Sequence, residues 1–223
     1  MEAGRGLLRL AVDLADDGVQ DVVLDADRSN PTSVRAYYED SSDAAFAITG
    51  AVLGWYRLDV SSTSGSGCDY GTWATLARQK AASDATAAGL DLSLSSVNKV
   101  YLFPSVPGCG WAGLGELPGS QAWISGYLHT GVIGHELGHN FGVHHASTLS
   151  CRQSDGTRVP VTARTADDCT ASEYGDPYSL MGDAWGHQYT HNAWHRAQLG
   201  YVIGTQTVNV TAGLDITAGL TAT

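Results

Sequence analysis

Hydrophobic and polar positions along the chain change period several times, and those changes predict its elements. Leu7 to Leu14 alternates and reads as a first strand, followed by the acidic turn Asp16-Asp17-Gly18. Val19 to Leu24 has the apolar, β-branched character of a second short strand. Asn30-Pro31-Thr32 resembles a helix start and leads into Val34 to Tyr38. Phe46 to Val60 reads as extended structure broken by Gly50 and Gly54, and Ser61 to Gly67 as a Ser/Gly loop. From Gly71 to Ala88 the period lengthens: Trp73, Leu76, Ala77, Ala81 and Ala85 recur at helical spacing, with Gly89 as the stop. Val97 to Phe103 is the clearest strand and ends at Pro104. Gly108 to Gly119 holds five glycines, so its backbone matters more than its side chains. Asn192 to Leu199 reads as a last helix closed by Gly200, and Thr205 to Thr223 is Thr/Ala/Gly-rich with weak alternation.

Composition narrows the class. The chain has 223 residues, 43% of them hydrophobic and 9% aromatic, enough for one domain with a real core. It carries 12 Lys+Arg against 23 Asp+Glu, a formal charge of −11, which argues against nucleic acid or an anionic membrane surface as partners. No run of 18 or more apolar residues could span a bilayer. Behind Met1 the apolar stretch Leu7 to Val12 is too short for an export signal, so an exported protein would be met here in a trimmed form.

The four cysteines, Cys68, Cys109, Cys151 and Cys169, form no CxxC pair, and their even count and wide spacing suit two disulfides and a secreted, extracellular setting. Three connectivities are open. Cys68–Cys109 with Cys151–Cys169 is favoured because the second pair brackets a single polar loop.

The chemistry concentrates in residues 131–145, Gly-Val-Ile-Gly-His-Glu-Leu-Gly-His-Asn-Phe-Gly-Val-His-His. His135 and His139 lie four apart, on one helix face, where two imidazoles can hold one zinc ion. Glu136 reaches the edge of that site without binding the metal, where a base acting on an activated water should stand. Val132, Ile133, Leu137 and Phe141 supply the apolar face that anchors the helix. A glycine at 142 can end the helix with φ > 0 and swing His145 back as the third ligand, leaving a fourth position open. This HExxHxxGxxH pattern should arise by chance in a chain of this length at roughly one in a hundred thousand. His144 falls one short of the spacing and is expected at the surface or behind the ligands as a supporting residue, and His129, His187, His191 and His195 are expected to be solvated or hydrogen-bonded.

The stretch HELGHNFGVHH resembles the metzincin zinc endopeptidases, whose other mark is a methionine turn beneath the metal. Ser179-Leu180-Met181-Gly182 supplies that turn, and by resemblance Met181 forms an apolar floor under the imidazoles. Four further stretches are similar to the gametolysin family, itself similar to the immune inhibitor A type. They are Cys109 to Gly115, Gln121-Ala122-Trp123-Ile124, Tyr174-Gly175-Asp176-Pro177-Tyr178, and Asn192-Ala193-Trp194-His195 running to Gly200. The resemblance implies an α+β fold: a twisted mixed sheet with an antiparallel edge strand, a long active-site helix, and a smaller C-terminal subdomain below the cleft. Trp111 to Glu116 would be the edge strand and would hold an extended peptide through backbone atoms. Some metzincins place a tyrosine two residues after the turn methionine. Here that position is Asp183, with Tyr189 the nearest later tyrosine, so no oxyanion partner is assigned beyond the zinc.

The expected activity is hydrolysis of protein or peptide substrates by a secreted monomeric zinc endopeptidase, with Glu136 as general base. Residues 1–204 would form the catalytic domain, divided near 142, and 205–223 a terminal strand or the start of a β-rich appendage. Scattered carboxylates leave room for calcium, although no EF-hand-like loop supports it. Two rivals stay open: an inactive zinc-binding adhesion module, which a fourth ligand from Asp183 or His187 would favour, and a zinc amidohydrolase acting on non-peptide amides.

Overall fold

The computed structural model describes residues 7–8, 11–13, 22–25, 29–58, 60, 67–159, 169–183 and 190–202. A five-stranded mixed sheet organises them. It is built from β2 (Ala11–Asp13), β4 (Ala51–Leu53), β5 (Lys99–Phe103), β6 (Gly113–Gly115) and β7 (Gln121–Ser125), in the spatial order β4-β2-β5-β7-β6. The first four strands in that order run parallel, and β6 closes one edge antiparallel to β7, with Leu114 opposite Trp123. β1 (Leu7–Leu8) and β3 (Ala47–Ile48) form a separate parallel pair. The architecture is α+β with a mixed sheet.

Alternation along β5 and β7 sends side chains to two different layers. Val100, Leu102, Ala122 and Ile124 join Ile133 and Leu137 in the main core beneath α3 (Thr130–Asn140). α1 (Val34–Ser41), capped by the Ser33 hydroxyl, seals the same core, where Tyr38 donates from its hydroxyl to the Gly134 carbonyl of α3 at 2.7 Å. On the opposite face stand Tyr101, Phe103 and Trp123, met by Tyr70 and Trp73 of α2 (Tyr70–Ala87). α2 itself buries only Ala74, Ala81 and Ala85. The hairpin β8 (Thr148–Cys151) and β9 (Cys169–Ser172) follows the site helix, and α4 (Ala193–Gln198) is the last described helix.

Both favoured disulfides are present. Cys68–Cys109 ties the start of α2 to the turn before β6, and Cys151–Cys169 closes the β8–β9 hairpin. Several expected boundaries shift. Val22 and Val23 lie in a helical turn, not a strand: Asp25 turns the chain at φ 42° and its carboxylate accepts from the Asn30 N–H, so local polar bonds replace a ladder. Val97 donates its N–H to the Leu94 carbonyl, which delays β5 to Lys99, and the edge strand narrows to Gly113–Gly115. The Thr205 to Thr223 segment lies outside the described residues.

Candidate metal centre

α3 starts at His129, whose ring Nδ1 accepts from the Gly131 N–H at 3.0 Å, so this histidine caps the helix. The helix stops after Asn140. Gly142, at φ 97°, lets its own N–H reach the His139 carbonyl (2.9 Å) and the Val143 N–H reach Gly138 (3.1 Å), the paired bonds of a Schellman cap. The chain turns back there and brings His145 to the rings of His135 and His139. The ligand atoms of these three histidines lie within 4.8 Å of one another, and among the described residues they are the one cluster able to hold a metal ion.

Each ring is oriented through its other nitrogen. His135 Nδ1 lies 2.8 Å from the Leu180 carbonyl, His139 Nδ1 2.9 Å from the Val143 carbonyl, and His145 Nδ1 2.7 Å from Glu173 Oε1. A carbonyl or carboxylate oxygen only accepts, so each Nδ1 carries the proton and each Nε2 keeps a lone pair. Two such lone pairs cannot bond to each other, yet His139 Nε2 and His145 Nε2 stand 3.1 Å apart. That is near the spacing of about 3.3 Å between nitrogens on one tetrahedral zinc with Zn–N bonds of about 2.0–2.1 Å. The donor set therefore fits a single zinc ion. Burial also drives His135 down to about 4 and lowers His139, which keeps both rings neutral and available as ligands near pH 7.

Glu136 points from the same helix toward β6. It is 7% exposed, and burial pushes its carboxyl up to about 7, opposed by a hydrogen bond from the Gly115 backbone. The strand can lie this close only because its residues facing Glu136 are glycines: a Cβ at Gly113 would stand 2.4 Å from Glu136 Oε1, and one at Gly115 3.1 Å from Oε2. Two open hollows of about 450 and 330 Å³ meet at Glu136, His135 and Tyr174. β6, at the sheet edge, borders both.

Met181 is fully buried against Val143 and Ala146, its sulfur where a Cβ on Gly138 would fall, so the turn underlies the site helix. The same turn supplies the Leu180 carbonyl that holds His135. His144 is exposed and stands outside the ligand cluster. His191 and His195 stand outside the cluster and, against expectation, are buried, with neither ring nitrogen of His191 hydrogen-bonded among the described residues because it packs between Tyr37 and Tyr38. Asp183 stays out of the cluster, its N–H bonded to the Asp176 carbonyl. His187 and Tyr189 lie outside the described residues. Two neighbours of the cluster carry no site role in the sequence reading, which names Tyr174 only within a family-like stretch. Glu173 orients His145, and the Tyr174 ring sits 3.9 Å from the His145 ring. Both follow β9, 28 and 29 residues past His145, at a separation that no local spacing rule links to a ligand.

No helix among the described residues is long and apolar enough to cross a membrane. Among solved structures, a zinc-dependent peptidase from Methanocorpusculum labreanum matches at 15% identity and a TM-score of 0.46, covering 87% of this chain and 100% of that one. A likeness that distant carries no argument here. No curated protein matches the chain. The family profile of gametolysin peptidase M11 matches residues 7–162, more than two thirds of the sequence, and with the zinc-type histidine cluster inside that span the chain belongs to the gametolysin family of metallopeptidases.

Proposed function

We propose that this chain is an extracellular zinc endopeptidase of metzincin architecture, in which Glu136 takes the proton from the attacking water. The observation that carries the reading is the convergence of three Nε2 lone pairs beside one buried carboxylate in an open cleft. His135, His139 and His145 would hold the ion. The chemistry zinc supplies when bound is Lewis acidity, which acidifies a water and polarises a carbonyl.

Glu136 does the proton work. A carboxyl with its pKa near 7 can accept a proton from water and return it to the leaving amine at neutral pH. β6 lies at the edge of the described sheet, and an extended peptide can add along it as a strand, with the scissile bond over the histidines. Met181 keeps the floor apolar and firm, and Leu180 fixes the tilt of His135. In this layout residues 1–204 form the peptidase unit, with the cleft between the part up to 142 and the part after it. Two disulfides suit an oxidising extracellular compartment, and protein or peptide is the substrate of a monomer. With three histidines and no fourth protein ligand among the described residues, an open catalytic site is favoured over a closed structural one.

The test is Glu136→Gln. The variant should bind zinc one-to-one and fail to cleave casein, and chelation should silence the wild type. Casein cleavage at the wild-type rate by Glu136→Gln would overturn the assignment of the base. Loss of zinc from the variant would overturn the claim that Glu136 stands off the metal.

A further inference from the structure

On the far side of the sheet from the histidines, α2 and the β5–β7 layer border a third open cavity, of about 510 Å³. We propose that this cavity binds an apolar carboxylate, a fatty-acid-like molecule whose acid group meets Lys99 and Arg78 and whose body lies among Trp73, Phe103 and Trp123.

The space exists because of what α2 presents. Between Trp73 and the end of α2 the helix offers Ala74, Ala77 and Ala81 to the space, while the strands opposite raise Tyr101, Phe103 and Trp123, and helix residues that small cannot fill the gap between the rings. The volume falls in the ordinary range of ligand pockets, about 300–1,000 Å³. Trp55 and Val60, 51% and 38% exposed, form an apolar rim.

Charge then selects the ligand. In a chain of net charge −11, the described wall of this cavity holds Arg57, Arg78 and Lys99 and no carboxylate. Lys99 is 4% exposed, and its ammonium donates to the Leu94 carbonyl at 3.0 Å. Among the described residues neither Lys99 nor Arg78 has a carboxylate within ion-pair distance. The nearby Glu116 carboxylate is taken up by the Ser120 N–H and the Gln121 amide. Arg78 is held in place by the Tyr101 hydroxyl (2.9 Å) and the Gln121 side-chain oxygen. Beside Tyr101, the buried Trp123 indole N–H has no hydrogen-bond partner. A buried ammonium with no carboxylate at ion-pair distance among the described residues and an orphaned donor are costly alone, and a carboxylate entering the cavity satisfies both. Burial, then the neighbouring Arg78, pull the Lys99 pKa down against the smaller upward pull of Glu116 and Asp91, and an anion in the cavity would add to the upward side.

Decanoate is the probe, with decanol as its uncharged counterpart, titrated into the zinc-loaded protein by calorimetry and tryptophan fluorescence. Decanoate should bind one-to-one and at least tenfold more tightly than decanol. Lys99→Met should weaken decanoate by about 10- to 100-fold, the worth of one charge-assisted bond, and leave decanol unchanged. Ala77→Phe, which fills the cavity from α2, should abolish binding of both, while casein cleavage by both variants stays at the wild-type level. Absence of saturable decanoate binding by the wild type would overturn the proposal. So would equal affinity for the alcohol, or binding that survives both substitutions.

Discussion

The seat of Glu136 against the two glycines of β6 makes Gly113→Ala an informative perturbation. The new methyl carbon would stand 2.4 Å from Oε1, 2.7 Å from Cγ and 2.8 Å from Cδ of Glu136. Ordinary contact begins near about 3.5 Å, so the carboxylate has to retreat by about 1 Å. Gly113 does not have a left-handed φ, so alanine adds no backbone strain there, and the three nearest atoms it meets all belong to Glu136. A misplacement of about 1 Å in a reacting group costs about a hundredfold in rate, or about 2.7 kcal/mol of barrier. The expected result is a kcat/KM on a fluorogenic peptide about a hundredfold below wild type, carried mainly by kcat, with one zinc per chain retained. Gly54→Ala is the control, because nothing lies within 4 Å of the added carbon. If Gly113→Ala kept wild-type kcat while Glu136→Gln was inactive, β6 would not set the position of the base.

Further outcomes follow from the same geometry. Glu173→Ala removes the acceptor that fixes His145 and should weaken zinc binding by about 10- to 100-fold in chelator competition. Because that side chain is 71% exposed, melting of the zinc-free protein should not change. Met181→Ala should cost about 2–5 kcal/mol in urea denaturation, and Met181→Leu less than about 1.5, since the site under Gly138 is closely packed. Burial foremost, then His195, His135 and Arg196, drive His191 between Tyr37 and Tyr38 from 6.5 down to about 3, so across that window the unfolded chain binds a proton that the native one refuses. Stability of the zinc-free protein should therefore fall as pH drops, by at most about 1.4 kcal/mol per pH unit from this group, and His191→Phe should flatten the slope.

What could be read from sequence was what depends on local spacing. His135 and His139 share a helix face because they are four apart, and Gly142 marks the turn because only a residue without Cβ takes φ 97° at ease. The helical period over Gly71 to Ala88 found α2 within one residue, yet it could not tell how far α2 stands from the sheet, because spacing carries no information about the opposing layer. Val22 and Val23 show the limit of propensity: a β-branched pair was captured by the turn at Asp25. Glu173 was hidden for a different reason. It meets His145 through the β8–β9 hairpin, whose register pairs Thr148 with Ser172 and so returns the chain to the ligand. The glycine-rich run marks Gly113 as a place where backbone matters, but its partner is not readable, because its contribution is the absence of atoms beside Glu136.

The oxygens that orient the three histidines come from three later places in the chain: Val143 just past the cap, Glu173 after the hairpin, and Leu180 in the methionine turn. The helix alone therefore places two rings and fixes the tautomer of neither. Only when the chain has folded through residue 180 are all three Nε2 lone pairs presented together, so the competent site and the C-terminal packing around Met181 form as one unit. Zinc that binds this arrangement and not the unfolded chain must stabilise the arrangement, by about 2.7 kcal/mol at a free concentration a hundredfold above its Kd. That coupling runs both ways: loosening the hairpin by converting Cys151 and Cys169 to serine should weaken zinc through Glu173 even though neither cysteine touches a ligand. Zinc affinity in that double variant equal to wild type would mean that His145 is held by its backbone alone.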